Sequence, residues 1–341
     1  MIFVIQMKEM AELKKDYYIF NNGRMRRKNN TFYFIDEEEN KRSLPVQQME
    51  NIHVFGSVDF NTHFLQLLSN HNVKVHFYNY YGFYSGTYYP KSKQVSGWTV
   101  VNQSKHYLNQ VKRAFLAKAF VKSAAFHMIR NLRSYQRYTE VQTVIEKIKN
   151  NLALIDHAKH IHEIMGLEGI IRQQYYSAFN YFLPKEFAFD ERTKQPPRDP
   201  LNALISFGNS LCYTAVLSEI YKTHLDPTVS FLHEPSTKRF SLSLDIAEIF
   251  KPLIVDPVIF ALLNRKQLNI SDFEKLEDMV LLNDSGKKKF LKEWTNKLET
   301  TIRHRQLKRN VSYKYFIRLE CYKLIKHCIG DQEYKPLKAW W

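Results

Sequence analysis

The hydrophobic periodicity of this chain changes once, around residues 91–104, and nothing else in the sequence constrains the fold as strongly. Before that point, apolar residues come in short alternating or β-branched and aromatic runs. Tyr17–Phe20, Thr31–Ile35, Ile52–Phe55 and Val73–Tyr78 read as strands. Asn21-Asn22-Gly23 is a turn signal and Asp36–Arg42 reads as a loop. Phe64, Leu65, Leu67 and Leu68 give Asn61–Asn70 helical spacing. Tyr81-Gly82 and Ser85-Gly86 mark turns before Pro90, and the polar stretch 91–104 around Gly97 reads as a linker. Beyond it the spacing becomes helical, over 105–135, 139–154, 157–182, 200–222, 244–250, 256–266, 272–283, 287–308 and 311–328. Asp199-Pro200 and Asp256-Pro257 both have the form of a helix start, with Asp capping and Pro in the first turn. No repeat of 20–50 residues is visible. The expected fold is α+β and multidomain: a small β-rich domain over residues 1–95, then a large all-α domain over 96–341.

At 341 residues the chain can bury two cores, and 44% hydrophobic content with few Gly and Pro excludes a disordered chain. Its formal net charge of +16 calls for an anionic partner. No segment has the amphipathic Trp/Leu face of a membrane-surface helix, so nucleic acid is favoured over a bilayer. The longest apolar stretch, PLIVDPVIFALL, is interrupted by Asp256 and two prolines, and no transmembrane segment is expected. MIFVIQMKEM is too short in its apolar run for a signal peptide, and Met7 or Met10 could serve as the natural start. Cys212, Cys321 and Cys328 are odd in number and lack zinc spacing, which suggests a reduced, cytoplasmic protein.

Against that basic background, Glu168, His233 and the Asp245/Glu248 pair stand out. Carboxylate, imidazole and carboxylate from separate segments form a ligand set that suits Mg²⁺ or Mn²⁺. A hard cation beside a phosphodiester points to nuclease or strand-transfer chemistry. Glu168 sits among Leu167, Gly169, Ile170 and Ile171, an apolar setting in which a carboxylate needs a cation. Arg172, one turn later, could supply that charge as an ordinary intrahelical pair, and so could a metal. His233 is followed by Lys238 and Arg239 and then by the helix carrying Asp245 and Glu248, which are three apart and share a face. First-turn compensation of the helix dipole would explain Asp245 without any function. Glu248 lies deeper, among Ile246, Ala247, Ile249 and Phe250.

Basic residues crowd two regions. One is the helix from Lys105; the other is the C-terminal stretch with Lys287-Lys288-Lys289, Arg303, Arg305, Lys308 and Arg309. One-sided charge of this kind reads as a phosphate-tracking surface. No Walker loop, GxGxxG, CxxC pair or nucleophile elbow is present.

PPRDPLNALISFGNSL, HLDPTVSFLHEPSTKRFSLSLDIAEIFKPLIVD and VSYKYFIRLECYKLIKH resemble, in order, blocks of the CRISPR-associated spacer-acquisition integrases. The likeness spans nearly the whole chain. It implies a metal-dependent DNA endonuclease and integrase that inserts short foreign fragments into the CRISPR array. The family's metal-site residues would fall on Glu168, His233 and Glu248, with Asp245 as an accompanying acid that orients the site or recruits a second ion. The resemblance further implies a homodimer formed through the N-terminal domain and a complex with the small second Cas protein of the adaptation pair. A non-catalytic basic scaffold for nucleic acid would explain the charge equally well, with the acids serving structure alone.

Overall fold

The structure, a computed structural model, describes residues 2–3 (backbone pairing), 14–28, 31–90, 96–194, 196–235 and 240–341. The chain forms two compact units, Met1–Lys93 and Gln94–Trp341. Met7, Met10, Lys238 and Arg239 lie outside the described residues.

The first unit contains strands β1 (Ile2–Phe3), β2 (Lys15–Ile19), β3 (Gly23–Lys28), β4 (Thr31–Asp36), β5 (Lys41–Leu44), β6 (Met49–Val54) and β7 (Val58–Phe60), then helix α1 (Thr62–His71), β8 (Lys74–Tyr78) and β9 (Tyr84–Tyr88). One sheet runs β1-β2-β6-β8-β9 and the other β5-β4-β3-β7. Alternation places Phe32 and Phe34 of β4 inward, where they meet Met25, Ile52, Val54, Val75 and the α1 residues Phe64, Leu67 and Leu68 in one core. Asn61 caps α1 by accepting from the Phe64 N–H at 3.1 Å.

The chain bends at Asn21, but β2 and β3 belong to different sheets and are not a hairpin. At Gly23 a Cβ would lie 2.3 Å from the Ile35 carbonyl oxygen, so the close approach of β4 requires glycine. Three strands depart from the sequence reading. Lys41–Leu44 is a strand, where a loop through Arg42 was expected, and Ser85-Gly86 lies within β9. β3 reads GRMRRK, and its charged exposed face hides the single inward Met25.

The second unit comprises α2 (Gly97–Leu108), α3 (Gln110–Arg133), α4 (Thr139–Ile155), α5 (Ile161–Ser177), α6 (Pro200–Ile220), α7 (Ser241–Phe250) and α8 (Asp256–Asn264). The hairpin β10 (Phe273–Leu276)/β11 (Met279–Leu282), α9 (Asp284–Glu299), the short pair β12 (Thr301–Arg303)/β13 (Asn310–Ser312) and α10 (Tyr313–Cys328) complete it. The unit is therefore predominantly helical but not all-α. Residues 272–283, expected to be a helix, are largely the β10–β11 hairpin, with Glu277 at φ 46 in its two-residue turn. The helix expected over 287–308 ends at Glu299. The expected single helix 105–135 is broken at Asn109, whose side chain caps α3 by accepting from the Lys112 N–H at 3.0 Å. The second half of the expected linker is already helical, with Ser96 capping α2.

Asp199 caps α6 as its dipeptide predicts, accepting from the Asn202 N–H at 2.8 Å. Asp256 does not cap α8: the chain reaches it through a widened π turn, Lys251–Val255, and Asp256 has helical backbone and is buried. α6 is long and apolar enough to cross a membrane, yet 78% of that stretch is buried inside the unit as its central helix. All three cysteines are free and buried.

Candidate active site

Three segments carry the singled-out side chains, which fall into two groups. α5 carries Glu168 and Arg172, α7 carries Asp245 and Glu248, and the irregular stretch before α7 carries His233. Arg172 Nε donates to Glu168 Oε1 at 2.6 Å, and its Nη2 reaches both Glu168 and Glu248 Oε2. Two carboxylates from different helices thus converge on one guanidinium. Lys251, at the start of the π turn, donates to the other Glu248 oxygen at 2.6 Å. Burial pushes the Glu168 carboxyl up, but the charge and hydrogen bond of Arg172, with Lys251 and His233 adding to them, leave it below the usual range. Burial, with Arg172 nearby, lowers the Lys251 ammonium to about 8. Burial likewise raises Asp256 to about 7.

Asp245 is fully buried and has no share in that ion-pair group. Its Oδ2 accepts from the backbone N–H groups of Phe231 (2.6 Å) and Leu232 (2.9 Å). Its Oδ1 accepts from the His233 N–H at 2.9 Å and pairs with the His233 ring Nδ1 at 2.8 Å. Since α7 starts at Ser241, Asp245 lies past the first turn, and dipole compensation does not account for it. It fastens the His233 segment and orients the ring. A carboxylate on Nδ1 selects the tautomer whose Nε2 keeps its lone pair, the arrangement that prepares histidine for a cation or a proton.

Residues not singled out for the site, Arg113 among them as one of the expected phosphate-tracking cations, also hold this segment. Arg113 on α3 donates to the Phe231 carbonyl at 2.8 Å and to Glu234 at 2.6 Å, while Tyr107 donates to Glu234 at 2.9 Å. Gln103 on α2, wholly buried, donates to the carbonyls of Asp226 (2.9 Å) and Val229 (2.7 Å). A glutamine in a helix of mixed polarity reads as surface, so nothing in the sequence announces it. Buried His127 on α3 pairs with the Ile249 carbonyl at 3.1 Å, directly after Glu248.

Among the described residues no three His, Cys, Asp or Glu side chains are gathered closely enough to hold a metal as they stand. The donor chemistry nevertheless fits a hard divalent cation. Glu168 and Glu248 already share one cationic partner, and Asp245 fixes the tautomer of His233.

The basic runs fare unequally. Lys287 is buried, and Lys289 is held at 2.7 Å by Asp272, so these two are parts of the structure and not a free phosphate track. Arg303, Arg305, Lys308 and Arg309 are exposed on and between β12 and β13. There, Arg305 lies over the Trp340 ring and Arg309 over Tyr315.

The helical unit thus sets two carboxylates on one guanidinium and holds a carboxylate-oriented imidazole on the segment before α7. Residues 17–296 match the family described as CRISPR associated protein Cas1. The chain is 57% identical over 330 residues, 96% of its length and 99% of the relative's, to the CRISPR-associated endonuclease Cas1 of Clostridium perfringens. It is 54% identical to a CRISPR-associated endonuclease Cas1 of Thermodesulfovibrio yellowstonii, covering 96% of this chain and all of that one. The solved structure of a Cas1 protein from Thermotoga maritima superimposes with a TM-score of 0.86 at 37% identity, covering 95% of this chain and all of that one. The chain belongs to the Cas1 family.

Proposed function

We propose that this protein is a divalent-cation-dependent DNA endonuclease and integrase of CRISPR adaptation, which inserts short foreign fragments into the array by phosphodiester transesterification. One observation carries the chemistry. Glu168 and Glu248, from separate helices, converge on a single cationic group, and Asp245 presents His233 in a fixed tautomer in the same region. Membership of a family whose relatives are named endonucleases supports the reaction class.

In this reading Glu168, His233 and Glu248 hold Mg²⁺ or Mn²⁺, the imidazole nitrogen favouring Mn²⁺. Bound there, the cation would polarise the scissile phosphate and help to ionise the attacking hydroxyl. Asp245 keeps the His233 ring in place. Lys251, with its ammonium lowered to about 8 by burial, stabilises negative charge at Glu248. The exposed cations Arg303, Arg305, Lys308 and Arg309 bind the DNA backbone. Hydrolysis and strand transfer differ only in the nucleophile, water or a 3′-hydroxyl. Two copies joined through the β-rich domain, with the small second Cas protein, would present two sites for the two ends of one fragment, in the cytoplasm.

The test is incubation with branched DNA. Mn²⁺ should give nicked and joined products, chelator should abolish them, and Glu168→Gln, His233→Ala and Glu248→Gln should each remove cleavage while leaving DNA binding close to wild type. If all three variants cleave normally, or if chelator has no effect, the reading fails and the basic-scaffold alternative stands.

A further inference from the structure

Arg172 is more than an intrahelical partner of Glu168. It reaches Glu248 on a different helix, and its side chain retains only 14% of its exposure. Tyr176, one turn further along α5, favours the charged guanidinium. Burial alone would lower the guanidinium, but Glu168 and then Tyr176 keep it firmly charged. Within the group the charges are balanced: Glu168 and Glu248 give −2, Arg172 and Lys251 give +2. A divalent cation entering such a neutral, largely buried group would leave it at +2 with the guanidinium still inserted between the carboxylates. The two cannot share the position. The group forms no three-ligand cage among the described residues, and Glu168 Oε1 and both Glu248 oxygens meet nitrogen donors.

We propose that Arg172 is the resident counter-ion of the Glu168/Glu248 pair and competes directly with the divalent cation, so that its release sets the cation affinity of the site. The inference rests on the metal-site reading above and adds a residue to it. Lys251 is less suited to the role, since it meets only Glu248, from the same stretch of chain. Arg172 bridges the two helices and so holds both carboxylates in their resting geometry. Once the cation takes over the carboxylates, the guanidinium is left beside it with donors unpaired. A phosphate oxygen pair is the planar, bidentate acceptor that matches them. DNA and cation should therefore bind with positive coupling that depends on this side chain.

The experiment measures Mn²⁺ affinity of the full chain directly, by electron paramagnetic resonance of the free ion, with and without DNA. Arg172→Gln removes the competing charge and should bind Mn²⁺ at least ten-fold more tightly than wild type, with DNA no longer improving the affinity. Arg172→Lys retains a cation and should stay near wild type. An Arg172→Gln protein that folds normally and binds Mn²⁺ no more tightly than wild type overturns the proposal. Should that variant fold poorly without metal, millimolar Mn²⁺ should restore its thermal transition to near the wild-type value, and failure to do so also counts against it. Glu168→Gln separates the two claims. If it binds Mn²⁺ as well as wild type, the metal site itself is misplaced. If it loses binding while Arg172→Gln is unchanged, only the competition is wrong.

Discussion

The carboxylate of Asp245 is the most exacting element of the site, and Asp245→Asn tests it with almost no change of shape. Asp245 accepts four hydrogen bonds, from the N–H groups of Phe231, Leu232 and His233 and from the His233 ring. An asparagine oxygen can serve only one side. Placed toward Phe231 and Leu232, it turns its NH₂ group against the His233 backbone N–H and the ring. The backbone donor is then buried without an acceptor, at about 1–3 kcal/mol, and the remaining bonds lose the assistance of the charge. We expect a destabilisation of roughly 2–4 kcal/mol. The ring would accept from the new amide at Nδ1 and carry its proton on Nε2, the nitrogen needed for the cation. Urea unfolding should report the stability loss, and ¹⁵N NMR of the His233 ring should report the switch of tautomer. An Asn variant that stays within about 0.5 kcal/mol of wild type and keeps its proton on Nδ1 would refute this reasoning.

Other expectations follow from the same structure. DNA affinity should fall with salt at roughly −0.9 in log–log slope per phosphate neutralised, and charge reversal of Arg303 and Arg305 should flatten that slope, whereas reversal of the ion-paired Lys289 should chiefly cost stability. Burial lowers His127 to about 4, below its ordinary value of 6.5. The unfolded chain therefore takes up the proton first, and the His127 contribution to stability is steady above pH 6.5 and is lost from there toward pH 4, while buried Asp256, raised to about 7, contributes in the opposite direction over the same window. The His127 share is about 3 kcal/mol, and it should appear as the difference between the urea-monitored profiles of wild type and His127→Gln, opening from pH 6.5 toward pH 4. The protein should be a dimer by light scattering at micromolar concentration and residues 96–341 alone a monomer; a full-length monomer would contradict the proposed assembly.

The sequence exposed the two-part organisation because hydrophobic period is a direct imprint of burial. It concealed elements whose burial is slight or whose turn lacks glycine. Leu276, Met279 and Val280 have helical spacing, yet Glu277 and Asp278 turn the chain into a hairpin, with Glu277 accepting a left-handed φ that no glycine advertised. β3 and β5 were obscured by arginines and lysines on their exposed faces. At the site, Glu168 and Glu248 stood out as carboxylates among apolar neighbours, and the structure pairs both of them with Arg172. Asp245 was legible as a carboxylate on the Glu248 face, whereas its partners, the N–H groups of Phe231, Leu232 and His233 and the His233 ring, were not. Gln103 could not be found at all, and Arg113 read as one of the phosphate-tracking cations of the helix from Lys105, because the significance of both comes from carbonyls more than a hundred residues away. Periodicity carries no information about such pairings.

The central claim is that Glu168, His233 and Glu248 share one divalent cation. Crystals grown with Mn²⁺ and measured at the manganese absorption edge address it most directly. The account predicts a single anomalous peak per site, within bonding distance of both glutamates and of His233 Nε2, with the Arg172 guanidinium withdrawn from the carboxylates. A peak elsewhere, or no peak at saturating Mn²⁺ with Arg172 still bridging the two glutamates, would contradict it.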